Sequence, residues 1–270
     1  MRTLQGKRAL VTGAARGIGR AIALALAREG VQLFLVDIDG PGLEVSAREA
    51  EALGCKVHLE VRDLSNPAEI SACTAACLAV FNGLDILVNS AGVLRYGLHH
   101  ELFTESWNTV LSVNLLAPVQ FVQELLPTFV AQKEGHILNV CSLVGLVPVR
   151  KLTIYQTSKF GLVGFSLALR TLGYRFNIGV TALCPSLVDT PMLEEMGPSW
   201  YRESTSLGPL SPVVSPEVVA RHAITSIRGN KGIVVISLGG KLLWLAYRLA
   251  PNLFVRLFSR QFRFRERRLD

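Results

Sequence analysis

Short apolar runs recur along the chain, separated by longer stretches whose apolar residues return at helical spacing. The runs, rich in Val, Ile and Leu, read as buried strands over Arg8 to Val11, Gln32 to Val36, Lys56 to Val61, Ile86 to Asn89, His136 to Cys141, Ile178 to Leu183 and Ile233 to Ile236. Helix-length segments begin near Gly17, Pro41, Pro67, Thr104, Tyr155 and Ser215, several behind a turn residue or an N-cap candidate. This alternation predicts repeated βα units and hence an α/β fold: a doubly wound, seven-stranded parallel sheet with helices on both faces. No repeat of fixed period is visible. One stretch breaks the rhythm. Asp189 to Pro216 holds five prolines and little periodicity, so it reads as a long loop with a short helix, the pattern of a lid or binding loop.

Composition narrows the class. With 270 residues, half of them hydrophobic and 18% charged, the chain can bury a large core as one α/β domain and is not disordered. Its first residues run straight into a strand, so no secretory signal is read there. The longest uncharged run, Ser106 to Gln123, contains Asn108, Asn114, Pro118 and Gln120 and makes a poor membrane span. Five cysteines without C-x-x-C pairs suggest neither a disulfide framework nor a metal site, and a reducing cytoplasm is expected. The net charge of +7 is uneven. Residues 240–270 carry eight Lys and Arg against two acids, so the rest is nearly neutral and no nucleic-acid partner is implied. The expected organisation is residues 1–239 as the dinucleotide-binding and catalytic part and 240–270 as a basic amphipathic extension.

Candidate chemistry starts at the end of the first strand, in "TGAARGIG". Gly13, Gly17 and Gly19 would let the backbone approach a phosphate while the following helix presents unpaired N–H groups and its positive dipole end. Asp37, 18 residues after Gly19, could accept hydrogen bonds from an adenosine ribose. A carboxylate there repels the 2′-phosphate of NADP and favours NAD, although Arg16 in the turn pulls the other way; Asp37 is given more weight. Tyr155 and Lys159 stand four apart and share a helix face, where an ammonium would favour the phenolate and make the pair a proton donor and acceptor. Ser142 ends a strand 13 residues earlier, at the sheet end where open α/β folds bind ligands. Asn114 lies mid-helix, an expensive place for an amide without a dedicated partner.

Taken together these motifs resemble the short-chain dehydrogenase/reductase family over roughly residues 7–239. They are the turn at Thr12 to Gly19, Asp37, Asp63 and Leu64, "NSAG" from Asn89 to Gly92, Asn114, Ser142, Tyr155, Lys159, and "PSLVDT" from Pro185 to Thr190. The resemblance implies a Rossmann-type fold and an oxidoreductase in which Tyr155 exchanges the proton, Ser142 holds the substrate oxygen, Lys159 binds the nicotinamide ribose and lowers the tyrosine pKa, and Asn114 holds a water on the proton path. Cofactor contacts are implied at Gly13, Arg16, Gly17, Ile18, Gly19, Asp37, Asp63, Leu64, Asn89, Ala91, Gly92, Tyr155, Lys159, Pro185, Val188 and Thr190. Two positions depart from the family's usual pattern: Ser90 stands where a second asparagine is common, and Ser186 where glycine usually follows the proline.

The segments expected near the substrate are "VLRYGL" after Asn89, "LVGLVPV" after Ser142, and the lid with Met192, Met196, Trp200 and Tyr201. They are mostly apolar, which suits a lipophilic alcohol or ketone, retinoid- or steroid-like by the same resemblance. His99 and His100 read as surface residues. The extension is split by Pro251 into segments too short to cross a bilayer; it reads as an interfacial helix on anionic lipid, ahead of an arm packed across a subunit seam. A homo-oligomer through the long helices around Trp107 and Tyr155 is expected. Two alternatives to an NAD-linked alcohol dehydrogenase stay open: a 3-oxoacyl thioester reductase using NADPH, and a noncatalytic NAD-binding sensor or scaffold.

Overall fold

In the computed structural model, which describes residues 1–97, 99, 102–194 and 213–257, successive strand side chains go to opposite faces of one sheet. Leu10, Phe34, Leu87 and Ile137 pack on one face with Phe121 and Phe129. Val11, Leu33, Leu35, Val88 and Leu138 pack on the other with Ile22, Leu26 and Ile227. Where both faces are covered the strands are largely apolar, whereas the edge strand of residues 57–61, with His58 and Glu60, alternates and is half exposed. The strands are β1 (Arg8–Thr12), β2 (Gln32–Asp37), β3 (Val57–Val61), β4 (Ile86–Asn89), β5 (Gly135–Val140), β6 (Ile178–Cys184) and β7 (Ile233–Val235). They form one parallel sheet in the order β3-β2-β1-β4-β5-β6-β7, a doubly wound Rossmann-type architecture. The order reverses between β1 and β4, so a crevice opens at the carboxyl ends of these two strands.

The described helices are α1 (Gly17–Arg28), α2 (Gly40–Ala52), α3 (Pro67–Phe81), α4 (Thr104–Leu111), α5 (Ala117–Gln132), α6 (Thr153–Gly173), α7 (Pro191–Glu194), α8 (Pro216–Gly229) and α9 (Leu238–Leu249). Their starts are fixed by local chemistry. The Asp39 side chain accepts from the Gly42 N–H ahead of α2, and Asn66 accepts from Ala68 N–H ahead of α3, each with proline in the first turn. Asn82, Lys133 and Asn230 end α3, α5 and α8 in the left-handed region. Between α4 and α5 the helix widens into a π-helical turn, Ser112–Leu116, in which the Ala117 N–H reaches back to the Ser112 carbonyl. Among the described residues Thr104–Gln132 is the one helical run long and apolar enough to cross a bilayer by length and composition. Its Phe121, Leu125 and Phe129 are fully buried against the sheet, as in a core helix.

At the amino end of β5 the fold stores an acid-sensitive group. His136 is buried, and its Nε2 lies 2.9 Å from the Thr181 hydroxyl, which itself donates to the Lys231 carbonyl. With its hydrogen committed there, the Thr181 oxygen accepts from Nε2–H, which fixes that nitrogen as the donor and leaves Nδ1 to titrate. Burial drives its pKa down to about 3. The unfolded chain therefore binds a proton below about pH 6.5 that the folded protein refuses, and stability falls as pH drops through this window by about 1.4 kcal/mol per pH unit. His136→Leu is expected to flatten the urea-unfolding free energy between about pH 6 and 4; an unchanged slope would place the acid sensitivity elsewhere.

Candidate active site

The segments that leave the carboxyl ends of β1 to β6 meet at the crevice. The loop after β1 turns at Gly13, whose φ of +68° and closeness to Ala91 exclude a side chain: a Cβ there would stand 2.7 Å from the Ala91 backbone. The Thr12 hydroxyl ties this turn to the loop after β4 by accepting from Ser90 N–H and Ala91 N–H, both at 3.1 Å. α1 follows at Gly17, also at positive φ, where a Cβ would lie 3.2 Å from the Thr190 methyl; the two loops thus face each other across the crevice. Arg16, exposed, precedes the first turn of α1, which carries no acid, and Ile18 packs partly against the core. Unpaired N–H groups and a positive helix end make this a fit place for a diphosphate.

At the end of β2, the Asp37 carboxylate accepts from Ala15 N–H at 2.9 Å and from Asp39 N–H at 3.1 Å. It is locked beside the glycine turn. Asp63 is exposed and accepts from Ser65 N–H, whereas Leu64 is buried and borders a small hollow with Thr12, Asn89, Ala91 and Val113. Asn89 donates to the Asn139 Oδ1 at 2.8 Å, and Asn139 donates on to Ser166, a polar thread through the apolar sheet. Two buried side-chain oxygens, Asn89 Oδ1 and Ser186 Oγ, have no hydrogen-bond partner among the described residues. Both belong to the segments that leave the carboxyl ends of β4 and β6, which flank the crevice. A glycine cradle that any Cβ would fill, a fixed carboxylate and these orphaned acceptors together fit a nicotinamide dinucleotide.

The reacting groups come from separate elements. Ser142, extended at the end of β5, caps a short 3₁₀ turn, Leu143–Gly145, and its hydroxyl shares a hydrogen bond with that of Tyr155 from the first turn of α6. Lys159, one turn further on, is buried and donates to the Val140 carbonyl at 2.8 Å, with its Nζ 5.7 Å from the Tyr155 ring centre. Asn114 sits in the π-helical turn. Its amide is fully used, accepting from Val93 N–H at 2.8 Å and donating to the Val93 carbonyl and the Ser158 hydroxyl. Ser158 in turn donates to the Tyr155 carbonyl. Gly92 closes the group, since a Cβ there would lie 3.4 Å from Asn114 Oδ1 and 3.8 Å from Lys159 Nζ. Asn114, Ser142, Tyr155 and Lys159 are thus brought together, and Ser158, which no sequence motif singles out, links the first to the third. Its sequence signal is slight: a hydroxyl between Tyr155 and Lys159 in a helix otherwise rich in apolar residues.

One expectation is corrected. Lys159 was to lower the tyrosine pKa, but in the protein chain alone burial dominates and pushes the Tyr155 hydroxyl up to about 12, the Ser142 hydrogen bond opposing only part of the rise. Burial likewise lowers the Lys159 pKa. Low polarity here disfavours both charges.

Tyr155 packs into a small apolar cluster with buried Leu94 and Leu152 and half-buried Val144, Leu187 and Met192; Tyr96, in the same cluster, has Lys151 Nζ 5.6 Å from its ring centre. The Pro185 carbonyl accepts from Leu143 N–H, tying the loop after β6 to the Ser142 turn, and buried Val188 bridges Val214. The two ends of the expected lid are therefore pinned together. Met196, Trp200 and Tyr201, and also His100, lie outside the described residues; His99 is exposed and meets the Trp107 ring edge-on.

Comparison with known proteins agrees with this arrangement. The family model described as short chain dehydrogenase matches residues 7–199. The 3-oxoacyl-[acyl-carrier-protein] reductase FabG of Thermotoga maritima is 34% identical over 219 residues, covering 81% of this chain and 89% of that protein. Estradiol 17-beta-dehydrogenase 11 of Homo sapiens is 32% identical over 267 residues, covering 96% of this chain and 84% of that protein. A solved structure described as a short-chain alcohol dehydrogenase from Sinorhizobium meliloti superposes with a TM-score of 0.81 at 29% identity, over 89% of this chain and 98% of its own. With its doubly wound sheet, its glycine cradle and its Ser142–Tyr155–Lys159 cluster, the chain belongs to the short-chain dehydrogenase family of oxidoreductases.

Proposed function

We propose that the protein transfers a hydride between NAD(H) and a hydrophobic secondary or allylic alcohol or its ketone, of steroid- or retinoid-like character. The observation that supports this most is the apolar cluster packed with Tyr155, whose partly exposed members Val144, Leu187 and Met192 offer carbon surface beside its ring. The match to estradiol 17-beta-dehydrogenase 11 points the same way. It leaves out too few residues of this chain to omit the extension after residue 240, whereas the match to the acyl-carrier-protein reductase covers 81%. A bound nicotinamide dinucleotide supplies the carbon that takes or gives the hydride. The rest falls to the protein: Gly13, Gly17 and Gly19 admit the diphosphate, Asp37 meets the adenosine ribose, and Thr190 borders the gap opposite α1. Ser142 holds the substrate oxygen and Tyr155 gives or takes its proton. Lys159 stands one turn from that hydroxyl on the cofactor side of the crevice, and Asn114, through Ser158, holds the backbone of Tyr155 in place.

A hydroxyl with a pKa of about 12 is protonated at neutral pH, ready as an acid for ketone reduction and poor as a base for alcohol oxidation. With a panel of lipophilic alcohols and NAD, kcat/KM is expected to rise about tenfold per unit between about pH 6 and 9, while ketone reduction with NADH stays flat. The competing reading, reduction of a 3-oxoacyl thioester with NADPH, draws on the acyl-carrier-protein reductase relative. Turnover of 3-oxoacyl thioesters with NADPH, and none of the alcohol panel with NAD, would put that reading in place of the alcohol dehydrogenase.

A further inference from the structure

α9 and the helical turn that follows it present two opposite surfaces. Inward, Leu243, Trp244, Tyr247 and the buried Phe254 pack with Leu143 and Leu162. The start of α9 touches the Ser142 turn directly, since a Cβ on Gly240 would come 3.2 Å from Leu143 Cδ2. Outward, Leu238, Leu242, Leu245, Leu249, Leu253 and Leu257 are each 49–77% exposed. The first four recur at intervals of four, three and four, which places them on one stripe of α9. Lys241 and Arg248, seven apart, flank this stripe on one side; Arg248 is held at 5.2 Å over the Trp244 ring. From 238 to 257 there are three cations and no acid.

We infer that this face docks on an anionic lipid surface. Exposed leucines in a continuous stripe mark a surface that meets something other than water. The charge selects what. Two copies placed face to face would bring six cations together with no acid between them, and residues 258–270, with five arginines against two acids, carry the same sign as the face they would have to cover. Anionic headgroups complement all of these charges at once. Lying flat, the leucines reach the acyl boundary while Lys241 and Arg248 extend to the headgroups. The segment rests on a bilayer and does not cross it, because α9 has 12 residues and the helical stretch is broken at Ala250, ahead of Pro251. The docking face is then the outer side of the helix that backs the Ser142 turn. This goes beyond the substrate reading and is tested without turnover.

The full-length protein is floated with vesicles of phosphatidylcholine alone or mixed with phosphatidylserine. It is expected to float with the mixed vesicles only. Lys241→Gln, Arg248→Gln and Arg256→Gln together should lower the partition coefficient by about fivefold per cation. Leu242→Glu with Leu249→Glu should abolish flotation while thermal unfolding is unchanged, because both side chains are exposed. Removing residues 240–270 is a poorer test, since it strips Tyr247 and Phe254 from the core and can unfold the protein. Equal flotation with both vesicle types, or full flotation of the leucine variant, would overturn the inference. So would a wild type that ignores both vesicle types, and sedimentation velocity showing that the leucine variant splits an oligomer would then assign the face to a subunit contact.

Discussion

Tyr155→Phe is expected to lower kcat in both directions by about 10²- to 10⁴-fold, with NADH affinity, read by fluorescence titration, left at the wild-type level. The argument rests on what the substitution keeps. The phenyl ring still fills the cluster of Leu94, Val144, Leu152 and Met192, so the apolar wall stands. Lys159 still donates to the Val140 carbonyl, and the Asn114–Ser158 contact with the residue 155 carbonyl uses backbone only. What goes is one hydroxyl, its hydrogen bond to Ser142 and the proton it exchanges. Folding stability should change by only about 1 kcal/mol, the typical net worth of one hydrogen bond. The raised pKa adds a sign: the folded protein prefers the protonated phenol, so this contribution is complete below about pH 10 and is lost as pH climbs towards about 12. The phenylalanine variant has no such titration, so wild type should lose its advantage of about 1 kcal/mol near pH 11 and fall below the variant at higher pH, by about 1.4 kcal/mol per pH unit until about pH 12. A variant that keeps a tenth or more of wild-type kcat would show that another group moves the proton.

The elements that set this site were readable because their signals are local. The central strands show as apolar runs because parallel strands covered on both sides need largely apolar residues, the edge strand β3 shows through its alternating Val57, Leu59 and Val61, and Gly13 shows because no other residue fits its turn. Asp37, Ser142 and Tyr155 could be placed once the strand ends were known. Three features were not readable, each for a physical reason. The π-helical turn at Ser112–Leu116 shifts the helix by one residue without altering the apolar pattern, yet it sets where Asn114 points. Ser158 acts through a hydrogen bond to an amide 44 positions away, which no local pattern encodes. The sign of the Tyr155 shift depends on how many apolar atoms from four other segments surround one hydroxyl. Spacing to Lys159 shows an attraction but not the burial that outweighs it. α6 also starts at Thr153, ahead of the expected position near Tyr155, so the tyrosine lies in the first turn.

Cofactor choice is expected to turn on a single carboxylate. Asp37 is held by two backbone N–H groups, from Ala15 and Asp39, so it cannot swing aside to admit a 2′-phosphate. A fixed charge near a phosphate dianion costs roughly 2–4 kcal/mol when partly shielded from water, which corresponds to about 30- to 1,000-fold in relative affinity. Arg16 at the mouth of α1 is exposed, and an exposed ion pair returns about 1 kcal/mol or less. On this balance the protein is expected to prefer NAD. Asp37→Asn removes the charge and keeps an amide oxygen that can accept from Ala15 N–H, so the turn survives with the loss of one of its two hydrogen bonds. The ratio of kcat/KM with NADP to that with NAD should then rise at least about thirtyfold, mostly through a lower KM for NADP. Adding Arg16→Ala to this variant should return part of the gain, because without the carboxylate the guanidinium can pair with the phosphate that Asp37 had excluded. If the wild type already turns over NADP as well as NAD, or if Asp37→Asn leaves the ratio where it was, the carboxylate faces the glycine turn alone and the ribose is read by another group.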